Sequence, residues 1–249
     1  MTEEEIRKWL DENNTALISE IEKSVPVKFT YWGEDHFACI LHKNEKGEHV
    51  GAEIFYKMPL SQAKIAHELL HAKVALTLGD NSIMYNIDNK HALLSFMLKE
   101  EFASNILNVC EHVIFFQDYL DMGFDEAECF ECASDLNKSL LELDNLKKNG
   151  LKENGHYSCE RVFKYLVLAF SFMFYPNTEL FKREVKILRK LDLSLFSRLS
   201  DLRRACDDLV ICPENKEFIQ DAYYKFASDM NKWFINAFKE QFLREYNIN

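Results

Sequence analysis

Along most of this chain apolar residues return every three to four positions, the repeat of a helix with one buried face. Ile6, Leu10, Leu17 and Ile21 keep that spacing, and Thr2 with Glu5 fits a capping box, so an opening helix is predicted over residues 3–23. Ser24-Val25-Pro26 ends it. The period then drops to two: Val27, Phe29 and Tyr31 alternate with Lys28, Thr30 and Trp32. Apolar runs at 37–41 and 50–56, the second entered through Asn44-Glu45-Lys46-Gly47, complete three short strands with hairpin-like connections. After Pro59 the helical period takes over, in segments near 60–78, 91–120, 126–148, 157–174, 178–207 and 215–245. Asp121-Met122-Gly123-Phe124, Lys148-Asn149-Gly150 and Glu153-Asn154-Gly155 are the clearest breaks.

The predicted class is therefore α+β and predominantly helical. A small N-terminal antiparallel or mixed sheet packs on the helix near 60–78, and a helical body follows. Residues 1–125 read as one region (helix, three strands, two helices) and 126–249 as a helical region packed on it.

Composition narrows the picture. At 47% hydrophobic and 29% charged residues, the 249-residue chain has the balance of a folded domain. Its 7 Gly and 4 Pro are too few for a sandwich or barrel of many tight turns. The net charge of −11 repels phosphate backbones and argues against a nucleic-acid partner. The densest basic run, 182–190, is interleaved with Val185, Ile187 and Leu188, the pattern of one helix with a solvated face. The longest apolar stretch, 165–175, covers about half a bilayer, so it reads as a buried helix and no membrane partner is expected. An acidic start without a signal-peptide core, and seven cysteines without a disulfide framework, point to reduced thiols and a cytoplasmic protein.

One constellation carries chemistry. Residues 66–72 read Ala-His-Glu-Leu-Leu-His-Ala, an H-E-x-x-H pattern at His67, Glu68 and His71. On a helix, positions i and i+4 share a face, so both imidazoles can reach one Zn2+. Glu68 projects beside that point, where it can take a proton from the attacking water. A helix that merely happens to contain these residues would leave two histidines on one face with no assigned partner.

A strand over 51–58 leading straight into H-E-x-x-H resembles the zincin metallopeptidases, over about residues 50–80. In that superfamily an edge strand holds an extended peptide by β-addition. The resemblance implies a zinc metallopeptidase with zinc on His67 and His71, Glu68 as general base and proton shuttle, and a peptide or protein substrate. The metzincin extension after His71 is absent, and so is a thermolysin-type signature. The third ligand then comes from the next helix, where Glu101, Asn105, Asn108 and His112 form a polar stripe among apolar residues.

Glu101-x-x-Ser104-Asn105 looks like the Glu-x-x-Ala-Asn element of ImmA/IrrE-like metallopeptidases, with Ser in place of Ala. Asn108-x-x-Glu111-His112, followed by Phe115 and the Gly123-Phe124 turn, resembles a recurring signature of uncharacterised bacterial H-E-x-x-H proteins. The second likeness favours His112 as third ligand, with Glu111 second and Glu101 third. Tyr85, His91, His156 and Tyr157 are the candidates for an oxyanion donor, and sequence does not rank them. Cys129-Phe-Glu-Cys132 is a lone C-x-x-C, more consistent with two half-buried thiols than with a second metal site. The alternative to an enzyme is a zincin-derived binding or regulatory protein that keeps a structural metal and cleaves nothing.

Overall fold

The computed structural model describes residues 2–33, 37–78, 100–129, 136–211 and 216–245. They form a predominantly helical α+β fold with a small mixed three-stranded sheet, as the periodicity predicts, and a second, two-stranded sheet besides. Two compact units emerge: residues 1–81 with 114–133, and residues 82–113 with 134–249.

In the first unit the expected opening helix is two, α1 (Glu3–Trp9) and α2 (Glu12–Ile21). Leu10 turns extended at φ −65° and ψ 144°, and Asp11 starts the second helix by accepting the Asn14 N–H at 2.7 Å. The predicted capping box at Thr2 and Glu5 is formed. Gln62 clamps the break between the helices. Its side chain donates to the Trp9 carbonyl at 2.8 Å and accepts from the Asp11 N–H at 3.2 Å and from Asn14 Nδ2 at 3.1 Å.

Strands β1 (Val27–Tyr31), β2 (Ala38–Lys43) and β3 (His49–Tyr56) form a sheet in the order β1-β3-β2. β2 and β3 make the expected hairpin. Its turn is held by Asn44 Oδ1, which accepts from the Lys46 and Glu48 N–H groups, and Gly47 takes φ +81°. β1 departs from the expectation of hairpin connections, because it pairs parallel to β3, with Phe29 opposite Ile54. The physical reason lies in β3, whose alternating Ala52, Ile54 and Tyr56 are all buried. A strand burying one whole face gains most from backbone partners on both edges. The strand that leads into H-E-x-x-H is therefore central and paired on both sides, and among the described residues the edge strands of this sheet are β1 and β2.

Helix α3 (Gln62–Leu78) follows β3 and packs against α2 and the sheet. Ala63, Ile65, Ala66, Leu69, Leu70 and Ala72 are all at most 4% exposed, so this helix is core on nearly every side. Helix α4 (Glu100–Asp121) begins in the second unit and ends in the first, followed there by the short α5 (Glu126–Cys129).

The second unit continues with α6 (Leu136–Asn149), β4 (Lys152–Glu153), β5 (His156–Tyr157), α7 (Cys159–Met173), a 3-10 turn (Thr178–Phe181), α8 (Lys182–Leu191), α9 (Leu193–Ile211) and α10 (Lys216–Glu245). The β4–β5 hairpin was not expected; its turn is Asn154-Gly155, both at positive φ. The expected helix over 178–207 is interrupted at Asp192. That residue is extended, accepts the Leu195 N–H at 2.9 Å and so caps α9. Tyr165, Phe172, Leu188, Leu195, Leu199 and Phe234 form the centre of this core, each at most 1% exposed. Among the described residues no helix is long and apolar enough to cross a membrane.

Candidate metal centre

His67 and His71 lie one turn apart on α3, each half-buried, between the fully buried Ala66, Leu69, Leu70 and Ala72. Their Nε2 atoms converge to 3.0 Å, with ring centroids 4.7 Å apart and planes at 71°. Two nitrogens on a tetrahedral zinc, each ~2.0–2.1 Å from it, stand about 3.3 Å apart. The pair is thus within a few tenths of an ångström of that chord.

Helix α4 supplies the facing wall. Positions 112, 115 and 119 fall on one stripe of it, at spacings of three and four. Phe115 packs in T-shaped contact with both imidazoles, its ring centroid 5.4 Å from that of His67 and 4.8 Å from that of His71, with near-perpendicular planes. Tyr119 lies 6.4 Å from His67. His112 stands just before Ile114, where α4 enters the first unit, and shares the stripe. One ligand atom from each of His67, His71 and His112 lies within 4.8 Å of the other two. Among the described residues this is the cluster of His, Cys, Asp and Glu side chains whose geometry can hold a metal ion. Three imidazole nitrogen donors suit zinc and would leave a fourth position for water or substrate.

Burial first, then the neighbouring His71 and Lys64, push the His67 pKa down to about 3. Its imidazole is therefore neutral at pH 7, the form whose lone pair a metal requires. On the opposite edge of that ring, Nδ1 meets Cys129 Sγ at 3.7 Å. Burial, with Glu126 adding to it, pushes the Cys129 thiol up to about 12. Burial also raises the Tyr119 phenol, whose hydroxyl has no hydrogen-bond partner among the described residues.

Glu68 is half-buried beside His67 on the same turn. Of the three candidates for third ligand, His112 is in the cluster, Glu111 is described and is not, and the Glu101 side chain lies outside the described residues. Tyr85 and His91 also lie outside them. His156 is exposed on β5, and the Tyr157 hydroxyl donates to Asp192 Oδ2 at 2.7 Å, both within the second unit. Cys132 is outside the described residues, whereas its motif partner Cys129 stands against His67. No local signal carries that last contact, since 62 positions separate the two residues. Comparison with protein-family models, curated proteins and solved structures gives no match.

Proposed function

We propose that the chain is a zinc-dependent metallohydrolase, most simply a peptidase acting in the cytoplasm, with His67, His71 and His112 as metal ligands and Glu68 as general base. The observation that carries this reading is the convergence of His67 Nε2 and His71 Nε2 to 3.0 Å, with His112 in the same cluster. The cluster also leaves room for catalysis, because three protein donors do not close a tetrahedral site.

Zinc held there supplies a Lewis acid that polarises the scissile carbonyl and acidifies water. The work of the chain's own residues follows from their placement. α3 is buried on nearly every side, so its backbone fixes the His67–His71 pair and the adjacent Glu68 as one rigid element. Glu68 then takes the proton of the attacking water and returns it to the leaving amine. Phe115, itself fully buried, packs in T-shaped contact with both imidazoles and braces their orientation.

The test is Glu68→Gln, with metal content and hydrolysis of a proteome-derived peptide pool read together. The expected result is an unchanged metal content and a fall in hydrolysis of ~10²–10⁴-fold, the usual range for a lost general base. Hydrolysis that is unchanged, or metal-dependent function without any hydrolysis, favours a regulatory protein with a structural metal instead.

A further inference from the structure

A neutral imidazole has one bare nitrogen and one that carries hydrogen. If His67 gives its Nε2 lone pair to a metal, its proton sits on Nδ1 and, on a ring packed against the buried Phe115, needs an acceptor. The Cys129 sulfur stands at that nitrogen, 3.7 Å away. Resting on the metal reading above, we propose that Cys129 is the positioning residue of the metal centre. Its sulfur accepts the His67 Nδ1–H and holds the ring in the tautomer that leaves Nε2 bare toward His71 and the metal.

The placement separates this role from ligation. Nδ1 and Nε2 occupy different edges of the ring, so a sulfur on Nδ1 stands behind the ligand rather than beside the metal. It also follows from the fold. α5 is a single helical turn packed on α3, and Cys129, its last residue, is 4% exposed. The surroundings of Cys129 are polar within an apolar core: Glu126 and Tyr119 both act electrostatically with it. Each contributes a buried oxygen without a hydrogen-bond partner among the described residues, Glu126 Oε1 and the Tyr119 hydroxyl. Cys129 thus stands at the Nδ1 edge of His67 with polar groups of its own nearby, while Phe115 packs near-perpendicular to the ring with centroids 5.4 Å apart.

The choice of a thiol has a consequence that a carboxylate would not have. A carboxylate accepts only, whereas S–H is a weak donor and the sulfur a weak acceptor. When the metal is away, His67 and His71 share one hydrogen bond between their Nε2 atoms, and either ring can supply the proton. Cys129 serves His67 in both cases, donating S–H to a bare Nδ1 or accepting from Nδ1–H. Metal binding selects the second arrangement without leaving an unpaired group.

The test uses the full chain. Zinc affinity is measured by competition with a chromophoric chelator for the wild type, His67→Ala, Cys129→Ala and Cys129→Ser. Tautomers are read from the 15N shifts of the His67 ring, and the cobalt-substituted protein is examined for a sulfur-to-metal charge-transfer band. The expected results are one metal per wild-type chain, loss in His67→Ala, a ~10–100-fold weaker site in Cys129→Ala, and recovery of most of that loss in Cys129→Ser. The loaded wild type shows Nδ1–H on His67, and the cobalt form shows no sulfur band. Wild-type affinity in Cys129→Ala, or a sulfur band that this variant abolishes, would overturn the proposal and leave the metal reading standing. A wild type that binds no metal, or a His67→Ala variant that binds as tightly, overturns both. Cys129→Ser, nearly isosteric, keeps the result readable should the alanine variant fold poorly.

Discussion

Chelation and reloading give the most direct measure of the centre, because a ligand held only by the native state slows every opening that disrupts its site. The His67–His71 pair is rooted in α3, where Leu69 and Leu70 are at most 1% exposed, so their backbone amides exchange only when the core of the first unit opens. At a free zinc concentration 100 times the dissociation constant, linkage stabilises the native state by about 2.7 kcal/mol. Under conditions where exchange follows the opening equilibrium, that is roughly a 100-fold slowing. The assay is hydrogen exchange read by mass spectrometry on peptides spanning α3, with and without zinc, in the wild type and in His67→Ala and His71→Ala. The expected outcome is slowing by about two orders of magnitude in the wild type and little in either variant. Equal slowing in the variants, or none in the wild type, would refute a centre built on these two rings.

Glu53 offers a pH test on the first unit. Its carboxylate accepts from the Thr30 hydroxyl, from His42 Nε2 at 2.8 Å and from Lys28 Nζ at 3.1 Å, and the Thr30 hydrogen bond leads in holding its pKa down at about 2. A depressed carboxylate stabilises the fold above its unfolded value of 4.5 and loses that contribution as pH falls through about 2. With Lys28 and His42 at least half exposed, screening leaves ~1 kcal/mol, so Glu53→Gln should flatten the pH dependence of stability between about 5 and 2 by that amount in denaturant titrations. In the second unit, Asp192→Ala removes both the cap on Leu195 N–H and the acceptor of the Tyr157 hydroxyl. A loss of about 2–4 kcal/mol is expected, followed by Trp233 fluorescence since that ring packs 4.9 Å from Tyr157, whereas Asp192→Asn should lose about half as much. Gln62→Ala breaks the clamp between α1 and α2. About 1–2 kcal/mol is expected, with protection lost first at the N-terminal helices in hydrogen exchange.

Not every departure from the sequence expectations lacked a local signal. Asn154-Gly155 is the dipeptide of a type I′ hairpin turn, and read as such it would have placed β4 and β5 rather than a simple helix break. Asp11 and Asp192 are both capping residues inside runs of helical period, where each starts a second helix. In those runs the helical hydrophobic spacing continues on both sides of the cap and masks it. The parallel pairing of β1 with β3 had no such signal, because strand partners are chosen by burial across the whole sheet.

The sequence by itself determined what local periodicity can carry: the helical class, the three strands, and a helix that presents His67 and His71 on one face with Glu68 between them. Those follow from backbone geometry repeated over a few residues. Tertiary structure alone decided the rest. It set Phe115 against both the His67 and His71 rings. It also carried Cys129 to the far edge of His67. Contacts across more than 40 residues depend on which buried faces pack together, and that choice is made by the core as a whole rather than by any segment of it.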